Sequence, residues 1–237
     1  MLVRGDVRVA SPGLALSLDA EKAVMPALDI HLALRVGQAR GQDYTPSTNF
    51  LPNPALNQQR DSVLYYTEGM PVIHNYRMRS ASAMVTFQCN LNQLFWDQRQ
   101  WDVILTGGFG GFAFRTHINA IDEQAQQIYD YGPTAMIRDQ AAIKKSLNQL
   151  LDDTYETQAE RDRVNETMIG EATLELAFQV GAGLTYHWND RWASSLVLGY
   201  LATGSDLIDG QQWRSNSQTT PTNDRLVSFG MRVMRRL

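Results

Sequence analysis

The stretch ATLELAFQVGAGLTYHW, Ala172 to Trp188, is apolar at every even position and mostly small or polar at every odd one. Ala172, Leu174, Leu176, Phe178, Val180, Ala182, Leu184, Tyr186 and Trp188 share one face, opposite Thr173, Glu175, Ala177, Gln179, Gly181, Gly183, Thr185 and His187. Successive Cβ atoms of a strand point to opposite sides of its sheet, so a period of two kept this long specifies a strand with two unlike faces. What the apolar face touches, a core, a ligand or lipid, decides what the chain can be.

The same alternation recurs. GLALSLDAEK sets Leu14, Leu16, Leu18 and Ala20 against Ala15, Ser17, Asp19 and Glu21, and LDIHLALRVGQA sets Leu28, Ile30, Leu32, Leu34 and Val36 against Asp29, His31, Ala33, Arg35 and Gly37. SASAMVTFQCNL sets Ala81, Ala83, Val85, Phe87, Cys89 and Leu91 against Ser80, Ser82, Met84, Thr86 and Gln88. WDVILTGGFGGFAF begins with Trp101, Val103 and Leu105 on one face, and its glycine run predicts a bulge that shifts phase before Phe112 and Phe114. WASSLVLGYLA and RLVSFGMRVM complete seven long strands, and LVRGDVRV at the start makes a short eighth.

Connections alternate in length. Residues 24–27, 92–100 and 188–191 are short turns, whereas 40–74, 118–170 and 204–224 are long and polar. Short turns at one end and long loops at the other are the habit of outer-membrane barrels, with periplasmic turns and extracellular loops. One long loop carries a helix: in PTAMIRDQAAIKKSLNQLLDD, Met136, Ile143, Leu147, Leu150 and Leu151 follow helical spacing, with Thr134 placed to cap.

Alternation alone fits an inward apolar face, as in a soluble lipid-binding barrel, as well as an outward one. The polar face discriminates. A face bathed in water is rich in Lys, Glu and Arg, yet this one is mostly Gly, Ala, Ser and Thr, which suit a narrow eight-strand interior. Its charges, Asp19, Asp29, Arg35, Asp102, Glu175 and Arg232, are expected to pair in a network that plugs the lumen, because unpaired ions there are heavily penalised; the alternative is a proton or ion path. Phe95, Trp96, Trp101, Tyr186, Trp188 and Trp192 cluster beside the short turns, where an interfacial aromatic girdle belongs.

Composition narrows the classes. With 21 basic and 25 acidic residues the formal charge is -4, which leaves no electrostatic footprint for nucleic acid. Mean hydropathy is -0.32 and no apolar run is long enough for a spanning helix, but alternating membrane strands average to such values. The single cysteine, Cys89, forms no internal disulfide. His31, His74, His117 and His187 are scattered, with no Ser and carboxylate in evident partnership and no Cys/His metal spacing. GGFGGF lacks the lysine of a phosphate loop. No enzyme, metal or cofactor is expected.

Three motifs carry a resemblance: GDV at Gly5 to Val7, GAGLTYHWNDR at Gly181 to Arg191 and DLIDGQQW at Asp206 to Trp213, with YETQAE at Tyr155 to Glu160 in the long third loop. With these the chain resembles the OmpA-like eight-stranded outer-membrane barrels over nearly its whole length. The resemblance implies an all-β, antiparallel up-and-down transmembrane barrel, a single domain over residues 1–237 with a shortened first strand, in the outer membrane of a Gram-negative cell. It implies a structural role in envelope integrity or as an accessory subunit of an outer-membrane assembly. Outer-membrane lipid is then the main partner, the long loops could hold protein partners, and peptidoglycan would be reached only through a domain outside this sequence. A narrow porin-like channel is the alternative function, and a soluble lipid-binding barrel the third. No basic-then-apolar signal segment precedes Leu2, so one is expected either to have been removed or to lie upstream.

Overall fold

The computed structural model describes residues 1–4, 10–48, 56, 66–67, 69–95, 100–122, 124, 127–159, 167–211 and 223–235, and for residues 2–4, 10–11 and 95 the backbone alone. In chain order the elements are β1 (Leu2–Arg4), β2 (Ala10–Ser11), β3 (Ala15–Met25), β4 (Leu28–Gln42), β5 (Asn75–Asn90), α1 (Leu91–Phe95), β6 (Trp101–Ile118), β7 (Ile121–Asp122), β8 (Gln127–Ile128), α2 (Gly132–Ala135), α3 (Gln140–Leu150), β9 (Thr157–Gln158), β10 (Thr167–Ile169), β11 (Ala172–His187), β12 (Trp192–Thr203) and β13 (Arg225–Arg235). The seven segments of alternating hydropathy are the seven long strands β3, β4, β5, β6, β11, β12 and β13. They form one curled sheet, joined as antiparallel neighbours in chain order.

The curl brings the two ends of the sheet toward each other. Arg232 on β13 places Nε 3.7 Å from Asp19 Oδ2 on β3, and its Nη1 donates to Gln88 Oε1 on β5 at 3.4 Å. At the loop end β1 pairs with β13, Leu2 opposite Val227 and Arg4 opposite Arg225. Met1 and Gly13 exchange two hydrogen bonds, of 3.0 and 2.9 Å, and Gln38 N donates to Leu14 O on the far side. The short N-terminal segment thus lies between the first and last long strands.

The central long strands keep two faces, with the burial inverted relative to a water-soluble sheet, whereas β3 is exposed on both faces with Asp19 half-buried. On β11, Leu176 and Phe178 are 60% and 58% exposed, while Ala177 and Gln179 between them are 0% and 8% exposed. Leu16, Leu34, Phe87, Leu105, Leu198 and Phe229 extend the exposed apolar face across the other six long strands. The inner face buries Thr86, Gln88, Asp102, Thr173, Thr185 and Ser195 beside Met84, Ile104, Phe112 and Leu201.

The expected phase shift in β6 does not occur. Its register against β5 and β11 runs unbroken from Trp101 to Phe114, so Phe112 and Phe114 point inward with Asp102 and Ile104. They fit because their neighbours across β5 are Ser82 and Ser80, and the two rings stack at 5.7 Å. The glycines serve a close approach instead: a Cβ on Gly108 would lie 2.3 Å from the Val85 carbonyl oxygen, and one on Gly110 2.1 Å from that of Ala83. The register irregularity falls in β3, between Ala23 and Met25.

The loop helix is also corrected. Helix α3 starts at Gln140, capped by Asp139, whose carboxylate accepts from Ala142 N at 2.8 Å. Thr134 sits in the separate turn α2, buried, with Oγ1 2.7 Å from Ser146 Oγ, and Met136 is exposed. Ile143 and Leu147, one turn apart, are the residues α3 buries.

Candidate functional site

Three layers can carry function: the inner face, the cap over its loop end and the outer face. On the inner face strand register splits the six charged residues over several places. Asp19, Arg35 and Arg232 share one electrostatic cluster, with Arg35 in the field of both others. Asp102 meets His187, Oδ2 to Nε2 at 2.8 Å, although 85 residues separate them in sequence. Asp29 lies with Glu21 and His31, whose ligand atoms fall within 4.8 Å of one another. Glu175 stands nearer the loop end, where a Cβ on Gly204 would lie 3.3 Å from its Oε2.

Two of the four histidines therefore do have carboxylate neighbours, contrary to the reading from spacing. Antiparallel pairing is the reason, since Glu21 faces His31 directly and Thr185, two residues from His187, faces Asp102. His31 is buried and its Nε2, 3.9 Å from Glu21 Oε2, makes no hydrogen bond. One imidazole and two carboxylates are a donor set that divalent transition ions accept. At His187 the hydroxyls of Thr185 and Ser195 bond each other at 2.7 Å, and the imidazole is held by Asp102.

The cap is built from the long loops and holds two of the resemblance segments, DLIDG and YETQAE. DLIDG packs into the mouth: Leu207, Ile208, Asp209 and Gly210 are buried, and Thr116 Oγ1 donates to Ile208 O at 2.8 Å. Gly210 has φ +86, and a Cβ there would lie 2.7 Å from Ala159 Cβ, so glycine is required twice over. The YETQAE segment supplies β9, paired with His117 and Ile118 at the top of β6. Glu156 Oε1 accepts from Ala120 N and Ile121 N at 3.0 and 2.8 Å.

Beyond the end of β6 lies an aromatic cluster. Tyr66 donates to Ala120 O at 2.9 Å, Tyr129 donates to Asn119 Oδ1 at 2.8 Å, and Tyr131 stacks on Tyr66. Burial raises all three phenols above their ordinary range, so they remain neutral donors. Burial also pushes His74 down to about 4. The space left among Tyr66, Ile73, His74 and Tyr131 is about 10 Å³, room for no more than a water.

On the outer face the aromatic set gathers at the turn end. Trp101, Trp188 and Trp192 are exposed, Trp101 packs on Tyr186 with ring centres 4.7 Å apart, and Arg235 lies over Trp192. Trp96 lies outside the described residues, and of Phe95 only the backbone is described. GDV at Gly5 to Val7 is outside them too. No described helix is long and apolar enough to cross a membrane. Comparison with known proteins brings no match to any family model, curated protein or solved structure.

Proposed function

We propose that the chain is an integral outer-membrane β-barrel of the OmpA-like kind, with a structural role in the cell envelope. The observation that carries this is the inversion of faces: large apolar side chains are exposed on the outer face of all seven long strands, and polar side chains are buried on the inner face of the central ones. Soluble monomers rarely expose contiguous apolar patches beyond a few hundred Å². A belt that runs across a whole sheet calls for an apolar solvent. Its height fits. On β11 the belt runs from Leu174 to Leu184, about 34 Å along the strand, which at the usual tilt of about 35–45° is roughly 24–28 Å, against about 25 Å for the apolar band of such barrels.

The edges agree with this orientation. Trp101, Tyr186, Trp188 and Trp192 mark the interface at the turn end, and the long loops stand at the other. Open sheet edges do not persist in lipid, so this reading requires the two ends of the sheet to close; among the described residues β1 already pairs with β13 and Arg232 reaches Asp19 on β3. The buried inner side chains of β5, β6 and β11 and the packed cap favour a structural element over a pore, and the loops are where partner proteins would meet it. To test this, Leu176→Cys is spin-labelled in a Cys89→Ser background and reconstituted into liposomes. Relaxation by oxygen in preference to a water-soluble nickel reagent is expected. The reverse preference, or a chain that stays soluble without detergent, overturns the reading.

A further inference from the structure

The outer face holds one place where the apolar belt recedes. Two register rows cross strands β3, β4, β5, β6 and β11 there. One reads Leu16, Val36, Ala81, Ala113, Leu174, and the next reads Leu18, Leu34, Ala83, Gly111, Leu176. Large side chains stand at the ends and small ones on β5 and β6, leaving a groove of about 610 Å³ with an almost wholly apolar lining.

The row directly above it, toward the loops, is Gln38, Arg79, Arg115, and the one above that is Arg40, Arg77, His117. Four arginines thus sit on three adjacent strands, two of them facing each other squarely as Arg79 and Arg115. Like charges directly opposite across a strand pair are destabilising. Part of this charge is already met: Arg115 pairs with Glu171, Arg77 Nη2 donates to Asp153 O at 2.9 Å, and Arg40 and Arg77 both lie over the Tyr155 ring. Arg79 is exposed and, among the described residues, has no hydrogen bond or ion pair, with Arg77 as a like-charged neighbour.

We infer that this groove and its arginine rim form a site for a membrane lipid whose phosphate headgroup carries net negative charge, the acyl chain on Ala81, Ala83, Gly111 and Ala113 and the phosphate on Arg79 and Arg115. The inference rests on the outer face lying in lipid. Charge complementarity selects the headgroup, because guanidinium forks match phosphate oxygens in pairs. Position selects a lipid over a free ion, because the rim is continuous with the groove: Arg79 precedes Ala81, and Arg115 follows Ala113, by one same-face step of about 6.8 Å. One molecule could therefore occupy both.

The test uses the full chain in phosphatidylcholine nanodiscs, with insertion measured on every sample. Short-chain phosphatidic acid, short-chain phosphatidylcholine and inorganic phosphate are titrated separately and retention is read by native mass spectrometry. Phosphatidic acid is expected to bind on the order of tenfold or more tightly than either of the others, since the choline of phosphatidylcholine neutralises its phosphate charge and inorganic phosphate has no chain for the groove. Arg79→Gln with Arg115→Gln should remove that margin, and so should Ala83→Phe, which fills the groove from the lipid side without touching the inner packing. Equal retention of phosphatidylcholine, inorganic phosphate bound as tightly as the lipid, or unchanged binding in inserted variants overturns the lipid site while leaving the membrane reading standing. A chain that inserts in no nanodisc overturns the membrane reading itself.

Discussion

His187 Nε2 and Asp102 Oδ2 lie 2.8 Å apart, joining β11 to β6 at the turn end of the inner face, with Asp102 nearly buried. Their row continues across the sheet through Thr185 and Ser195 to Arg232, so this end of the hollow is a band of polar side chains. Truncating Asp102 removes the partner of the half-buried His187 imidazole. Asp102→Ala is expected to cost about 0.5–1.5 kcal/mol, the net worth of a typical hydrogen bond. The exposed Arg115–Glu171 pair provides the contrast, because Glu171 is 68% exposed and its removal should cost about 0–1 kcal/mol. Urea unfolding in one detergent, followed by tryptophan fluorescence, compares Asp102→Ala with Glu171→Ala. Equal losses would remove the distinction between inner and outer pairs.

The glycines of β6 separate close approach from mere flexibility. Gly108→Ala and Gly110→Ala each drive a Cβ against a carbonyl of β5, at 2.3 and 2.1 Å, whereas a Cβ on Gly107 meets nothing within 4 Å. Overpacking of this kind costs typically about 1–3 kcal/mol. Both inner variants should unfold at lower urea than wild type, with Gly107→Ala close to unchanged. A Gly107→Ala loss as large as the others would mean that backbone entropy, rather than the β5 contact, sets the cost.

The seven long strands, their order and the division into short turns and long loops were legible because outward-facing and inward-facing residues must alternate, and that alternation survives in one sequence. What failed was whatever depends on a second strand. Phe112 and Phe114 read as a phase shift because large side chains were assigned outward; Ser80 and Ser82, which make room for them inside, are about thirty residues away in sequence. His187 and Asp102 become partners only through the β6–β11 register, and so do Arg79 and Arg115 through that of β5 and β6. The helix start failed for a local reason: Thr134 and Asp139 are both good caps, and Asp139 is the one followed by unbroken helix.

His74 makes the cap sensitive to pH. Burial holds its pKa at about 4 against an ordinary 6.5, so the unfolded segment takes up a proton first as pH falls. Its contribution to stability is complete above about pH 6.5 and is lost progressively between 6.5 and about 4. Amides near His74, including that of Asp43, which donates to the His74 carbonyl at 2.7 Å, should therefore lose protection from hydrogen exchange at pH 4.5 relative to pH 7, after correction for intrinsic rates. His74→Gln should flatten that dependence. A wild-type cap equally protected at both pH values would show that the imidazole is not held neutral by its surroundings.

The Arg232 cluster decides between an element that seals and one that conducts. Arg232 reaches from β13 to Asp19 on β3 and Gln88 on β5, and Arg35 lies in the same field, so these side chains occupy the hollow where the ends of the sheet approach. Toward the loops, the cavity among Tyr66, Ile73, His74 and Tyr131 is about 10 Å³. Planar bilayers carrying the wild-type protein are expected to show little current, because ions would have to cross both layers. Arg232→Ala removes one layer, leaving Asp19 with Ser17 and Arg35, and should give brief openings whose size grows further when cap residues Tyr66 and Tyr131 are both replaced by Ala. Large, long-lived wild-type channels would reverse the ranking and make this a narrow pore, with Asp19, Arg35 and Arg232 lining its constriction.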